Sequence, residues 1–200
     1  MIFREAEKLR FATTTAGEAQ LFAHKRKLDS IEKLWRGVLS ITNNCPGVLK
    51  FLDFVLVEEY QHVVKNDLFR TLLKGVELSA IKSVLEKIIG DHEEVRPYVG
   101  EILWTQFNVY QTIVLRACFL VSRWNEDISN LNWRDDKMIH GLISSALGEA
   151  DFLKFIELKY GHLGWIQQKL TEKILNNMNK IITGEMIGVD VVRYSGVLED

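Results

Sequence analysis

Apolar residues recur every three to four positions along most of this 200-residue chain, and only two prolines interrupt them. That spacing places apolar side chains on one face of an α-helix, and proline is the residue that most strongly ends a helix. We therefore predict an all-α protein, a single-domain multi-helix bundle of about six to seven helices. One core can serve a chain of this length, so residues 1–200 form one domain.

Boundary signals predict where these helices lie. A capping pair, Thr15 and Glu18, opens a first long helix, which ends before the breaker NNCPG at 43–47. The later helices are predicted at 46–66, 67–73, 79–90, 98–124, 134–147 and 149–183. We expect the last of them to bend at Gly161 or Gly164. The tail MIGVDVVRY, residues 186–194, is alternating and β-branched, which favours a short C-terminal strand. It could instead pair with a subunit or lie as coil against the bundle.

The predicted helix at 98–124 is apolar on nearly every face in its second half, as a helix surrounded by neighbours would be. Five of its side chains should be buried together: Trp104, Phe107, Val114, Cys118 and Val121. Its most apolar run, IVLRACFLV at 113–121, has nine residues and contains Arg116, whereas a membrane span needs about 20. We predict a core helix and no membrane partner.

The charge balance excludes an overall attraction to polyanions. The formal net charge is −2 and the pI is about 6.2, so nucleic acid binding would need a local basic patch. The cluster HKRK at 24–27 has acids close by in the sequence, which favours a solvated helix face.

The cysteines and the N-terminus bear on the compartment. Cys45 and Cys118 lack the spacing of a zinc site, and one pair is no disulfide framework. The N-terminus lacks the apolar region of a secretory signal. Both observations favour the cytoplasm.

Neither metal nor cofactor is predicted. Glu59 and His62 stand three residues apart on one predicted helix face, as in di-iron carboxylate bundles, but a second such pair is absent, which favours a surface hydrogen bond. Phosphate-loop, GxSxG and HExxH fingerprints are also absent. Large aromatic residues could line a ligand pocket, but a core role is the more frequent one. They are Trp35, Trp104, Phe107, Tyr110, Phe119, Trp124, Trp133 and Trp165.

The stretch RDDKMIH at 134–140 places a polar residue directly after an arginine, and a histidine six positions after that arginine. It resembles the Arg-x(4–6)-His motif of the HEPN ribonuclease superfamily. The resemblance covers seven residues and implies a small helical bundle that cuts RNA without a metal, usually at a dimer interface. It implies that His140 acts as base or acid and that Arg134 stabilises the transition state, roles that suit imidazole and guanidinium. Residues six apart diverge on a regular helix, so the pair converges only if Arg134 precedes the helix.

Two functional hypotheses follow. The first is a non-catalytic helical interaction or regulatory module, a subunit or adaptor of a larger assembly, with another protein or a second copy as its partner. The alternative is a HEPN-like, metal-independent ribonuclease of a toxin or phage-defence type that uses Arg134 and His140, with RNA as its partner. Whether the chain is an enzyme stays open in the sequence. Convergence of Arg134 and His140 in one electropositive groove would favour the enzyme, and exposed aromatic residues would favour the module.

Overall fold

A computed structural model describes residues 2–77, 83, 86 and 92–185, with side chains from residue 17 onward. Within these ranges the chain forms nine α-helices and no strand, which confirms the all-α prediction and exceeds the predicted helix number. The helices are α1 (Ile2–Asn43), α2 (Gly47–Leu52), α3 (Tyr60–Val63), α4 (Asp67–Leu73), α5 (Arg96–Val99), α6 (Glu101–Ser122), α7 (Lys137–Leu147), α8 (Glu149–Glu157) and α9 (His162–Thr183). Five short 3-10 turns lie at Val57–Glu59, Lys74–Val76, Glu93–Val95, Ile128–Leu131 and Trp133–Asp135.

Helix α1 begins well before the predicted capping pair. Thr15 and Glu18 lie inside a helix that starts at Ile2, so the predicted start at Thr15 was wrong. Residues 2–12 are rich in Ala, Leu, Glu, Lys and Arg, which are strong helix formers, and they extend the helix through the threonines that follow.

The predicted helix at 46–66 is interrupted. Helix α2 ends at Leu52, and Leu56 has extended backbone angles (φ −77°, ψ 154°) before the 3-10 turn that leads into α3. Asp53 explains the break. Its carboxylate accepts hydrogen bonds from the backbone N–H groups of Leu163 (2.7 Å) and Gly164 (3.1 Å) at the start of α9. This contact satisfies donors that a helix start leaves free, and it ties the end of α2 to the start of α9.

Glycines divide two other predicted helices. Gly100 has φ 79° between α5 and α6, and Gly161 has φ 77° directly before α9, a backbone region that favours glycine. The bend predicted at Gly161 is therefore a full break. It is held by the backbone N–H of Gly161, which donates to the carbonyl oxygen of Asp53 (2.7 Å). The helix predicted at 79–90 and the strand predicted in the tail lie outside the described residues, apart from single helical positions at 83 and 86.

Helix α6 lies at the centre of the bundle, packed against α1, α7 and α9. The five side chains predicted to be buried there are all at most 5% exposed, which confirms the prediction. Gly37 of α1 lies tightly against its neighbours, because a Cβ atom there would lie 2.9 Å from Phe107 Cε2 of α6 and 2.6 Å from His92 Nε2. None of the helices in the described ranges has the length and apolarity needed to cross a membrane.

Candidate functional site

Arg134 lies in a 3-10 turn directly before α7, and not inside that helix. Asp136 ends the turn and caps α7, with its carboxylate accepting from the backbone N–H of Ile139 (3.1 Å). The guanidinium of Arg116 in α6 donates to both oxygens of the same carboxylate, at 2.8 and 3.3 Å, and holds the pKa of Asp136 below its ordinary value. The ion pair ties the turn to α6, the central helix, and so fixes the position of the Arg134 backbone.

The side chain of Arg134 points into the protein and is only 6% exposed. Its Nη2 donates to the backbone carbonyl of Val55 (2.8 Å) and to the hydroxyl of Tyr60, and its Nε donates to Asn132 Oδ1 (3.0 Å). Val55 and Tyr60 belong to the segment between α2 and α3. Arg134 is therefore a crosslink between this segment and the turn before α7, with three of its five N–H groups in use.

The imidazole of His140 is half-buried and lies next to the same turn. Its Nε2 donates to the backbone carbonyl oxygen of Arg134 (2.7 Å), and the rings of Phe152 and Phe155 lie edge-on to it with centroids 5.2 and 6.1 Å away. The Nδ1 atom forms no hydrogen bond with the described part of the chain. The bond to the Arg134 carbonyl thus requires a proton on Nε2.

His162, the first residue of α9, lies on the other side of Arg134. Its Nδ1 is 3.5 Å from Arg134 Nη1, and its ring packs against Phe155 with centroids 5.1 Å apart. Burial, together with the positive charge of Arg134, lowers the pKa of His162 from 6.5 to about 4. His162 is therefore a neutral acceptor at physiological pH, and Arg134 is the buried cation.

These residues enclose a pocket of about 140 Å³ that opens between the segment after α2, the turn before α7 and the end of α8. Its lining comprises Val57, Asn132, Arg134, Asp135, His140, Phe155, Ile156, Leu158, Lys159 and His162. The structure thus brings the two sequence-predicted residues, Arg134 and His140, to one pocket. A shallower groove of about 370 Å³ adjoins it and shares Val57, Asn132 and Asp135.

Exposed apolar side chains occur on the two segments that border the pocket: Val57 and Ile156 line it, and Phe54 and Tyr160 belong to the same two segments. Phe54 is 78% exposed, Val57 47%, Ile156 48% and Tyr160 63%. They come from two segments that are tied together by the hydrogen bond from the Gly161 N–H to the Asp53 carbonyl. We call these four residues the apolar rim. Single exposed apolar residues are ordinary, but a group of them beside a pocket is typical of a binding surface.

The candidate metal ligands and the cysteines that the sequence offered have structural roles or lie exposed. Glu59 accepts from the backbone N–H of Leu56 (2.9 Å) and stabilises the 3-10 turn, while His62 is exposed. Among the residues that the structure describes, no group of three or more His, Cys, Asp or Glu side chains is placed to hold a metal ion. Cys45 and Cys118 are buried free thiols. Burial raises the pKa of Cys45 to about 12 and that of Cys118 further, so both stay protonated.

The aromatic set is largely core, and the basic cluster is largely solvated. Seven of the eight aromatic residues are buried or packed against the core, and Phe119 is exposed. In the HKRK cluster, His24, Lys25 and Arg26 are exposed and Lys27 is half-buried. The guanidinium of Arg26 lies 5.1 Å from the ring of Tyr98, so part of this cluster packs on the protein's own surface.

A wider groove of about 540 Å³ lies between α6, α7 and α9. Its polar groups are already paired, since Lys173 Nζ donates to the Ala146 carbonyl (2.7 Å) and Asn177 donates to Gln106 (2.8 Å). It therefore presents no buried polar group that a ligand would need to satisfy.

The sequence did not indicate several residues that contact or adjoin Arg134. Tyr60, Asn132, Lys159 and His162 stand in no motif with Arg134 and are brought to it by tertiary packing. The one signal in the sequence was the turn-like composition of the residues just before Arg134, which allowed this arginine to precede a helix. Comparisons with models of protein families, with curated proteins and with solved structures found no match to this chain.

Proposed function

We propose that this chain is a non-catalytic helical interaction module, a subunit or adaptor that binds another protein through the apolar rim beside the Arg134 pocket. The observation that carries this proposal is the exposure of Phe54, Val57, Ile156 and Tyr160 on the two segments that border one charged pocket, with Val57 and Ile156 in its lining. Contacts of this kind, aromatic or aliphatic beside an arginine, are enriched at protein interfaces. The two buried free thiols suit the reducing cytoplasm as its compartment.

The bonding of Arg134 supports a structural use of the motif. An arginine that stabilises a reacting phosphate must present its N–H groups to the substrate, whereas Arg134 gives three of them to Val55, Tyr60 and Asn132. Its side chain bridges elements about 75 residues apart in the sequence, as a stabilising crosslink does.

Helix α1 offers a second surface. No side chain between Glu18 and Asp29 is buried, and Leu21 and Phe22 are 72% and 66% exposed. Contact with the core begins at Ser30. A helix usually depends on packing of its apolar face for stability, so this exposed length is suited to a partner helix, from another protein or from a second copy of the chain.

Site-specific photocrosslinking tests the proposal. A benzophenone amino acid at Phe54 or at Tyr160 should give the same crosslinked protein in source cells, identified by mass spectrometry. The same probe at Glu172, an exposed position on α9, is the matched control and should give none. Equal crosslinking at Glu172, or none at Phe54 and Tyr160, would contradict the proposal.

One observation favours the second candidate, a HEPN-like ribonuclease. Arg134 and His140 line the same pocket, and only Nε2 of His140 is hydrogen-bonded in the described part of the chain, which leaves Nδ1 for contact with a substrate. Under this hypothesis RNA is the partner and His140→Ala abolishes cleavage. Incubation of the purified chain with RNA in EDTA separates the two candidates, because only the ribonuclease cleaves.

A further inference from the structure

Arg134 is a buried cation that forms no ion pair in the described part of the chain, since the Asp135 carboxylate of the same pocket lining accepts a hydrogen bond from Asn132 instead. Its side chain is 6% exposed, and each of its close partners is a neutral oxygen, from Val55, Tyr60 or Asn132. Buried charges are almost always paired, because an unpaired one loses its hydration without compensation. An anion that entered the pocket would supply the missing charge.

The free donor of this guanidinium is Nη1. Its contacts, to the Lys159 carbonyl oxygen and to His162 Nδ1, are both 3.5 Å long, well beyond the usual length of such hydrogen bonds. Both N–H groups of Nη2 and the Nε–H are in use. A single nitrogen with two weakly bonded hydrogens remains, which serves one small anionic group better than it serves an extended polyanion.

The size and surroundings of the pocket select the kind of anion. A volume of about 140 Å³ accommodates one side chain. Three exposed acidic residues stand within its lining or directly next to a lining residue in the sequence, namely Asp135, Glu58 and Glu157, against one exposed lysine of the lining, Lys159. The three acids repel a chain of phosphates, which brings many negative charges to the surface at once. These acids repel a peptide less if it carries a single carboxylate between apolar residues and has basic residues on the outer flanks.

We infer that the Arg134 pocket binds the carboxylate of one acidic side chain from a protein partner, with the apolar rim gripping apolar residues on either side of it. This inference rests on the proposed interaction function and names its partner segment: a short peptide with one Asp or Glu between apolar residues and with basic flanks. The basic flanks complement Asp135 in the lining and the neighbouring exposed residues Glu58 and Glu157, and the carboxylate pairs with Nη1 of Arg134.

Selection from a phage-displayed library of random 12-residue peptides on the purified full chain tests the inference. The enriched peptides should share an acidic residue between apolar ones. Replacing that residue by glutamine should weaken binding to the wild-type chain at least about tenfold in fluorescence anisotropy. Enrichment of peptides that keep their affinity after this replacement would overturn the carboxylate anchor but leave the interaction module standing, and no enrichment at all would overturn the inference.

Two variants on α8 make the test specific for the pocket. Ile156→Asp adds a negative charge to the pocket lining and should weaken the selected peptide at least about tenfold. Leu153→Asp is the matched control, since Leu153 is equally exposed (49% against 48%) on the same helix but is not part of the pocket lining, and its affinity should stay unchanged. Equal loss in both variants, or displacement of the peptide by a 20-nucleotide oligouridylate, would overturn the inference, the second in favour of a nucleic acid ligand.

Discussion

The imidazole Nε2 of His140 donates a hydrogen bond to the backbone carbonyl oxygen of Arg134 over 2.7 Å. This bond joins the first turn of α7 to the 3-10 turn before it. The side chain of Arg134 leaves in another direction, toward Val55 and Tyr60. A seven-residue stretch that resembles a ribonuclease motif thus forms a junction between helices, with a pocket beside it.

Removing the guanidinium of Arg134 should destabilise the fold. Arg134→Ala leaves the Val55 carbonyl and the Tyr60 hydroxyl buried without their donor, and we expect a loss of about 3 kcal/mol in the free energy of unfolding. Urea denaturation followed by circular dichroism measures it. Arg36→Ala, which breaks the exposed ion pair with Glu32, is the control and should change stability little. A stability loss at Arg134 no larger than in this control would show that the crosslink is unimportant.

The fold should lose stability in mild acid because of His162. Its pKa is about 4 in the folded protein and 6.5 for the ordinary residue, so below pH 6.5 the unfolded chain binds a proton that the folded chain does not. The contribution is fully present above pH 6.5 and declines from there toward pH 4, by up to about 1.4 kcal/mol per pH unit. Unfolding free energies of wild type and of His162→Gln, measured between pH 4 and 7, should differ in slope. Parallel pH profiles would refute this role.

Glycine at position 37 should be required for the packing of α1 on α6. In Gly37→Ala the new Cβ would lie 2.6 Å from His92 Nε2 and 2.9 Å from Phe107 Cε2, and we expect destabilisation of about 1–3 kcal/mol. Gly141→Ala in α7 is the matched control. Its Cβ would meet nothing within 4 Å, so better helix propensity should stabilise the protein by up to about 1 kcal/mol. In thermal denaturation, the unfolding midpoint should fall in Gly37→Ala and rise in Gly141→Ala.

The spacing of neighbouring residues predicted those features of the fold that depend on neighbouring residues. Helical periodicity identified the all-α class and the buried face of α6, and the turn-like residues before Arg134 allowed it to precede a helix, as it does. The break after α2 was missed because Asp53 leaves that helix to bind the start of α9, 110 residues further along. A contact over that separation has no signal in the spacing of neighbouring residues.

The same limit applies to the candidate site. The sequence drew attention to Arg134 and His140 by their spacing, and the structure places both at one pocket. The direction of the guanidinium depends on Val55 and Tyr60, and the low pKa of His162 depends on burial and on the charge of Arg134. Tertiary packing, which no single sequence displays, decides whether such an arginine faces a substrate or a carbonyl group.

Incubation of the purified chain with single-stranded and structured RNA in EDTA tests most directly whether the Arg134–His140 stretch is a junction or a catalytic pair. We expect wild type to leave the RNA intact, and His140→Ala to lower stability by about 1 kcal/mol through the lost bond to the Arg134 carbonyl. Cleavage by wild type that disappears in His140→Ala, with the unfolding midpoint of that variant unchanged, would contradict the account and establish the ribonuclease.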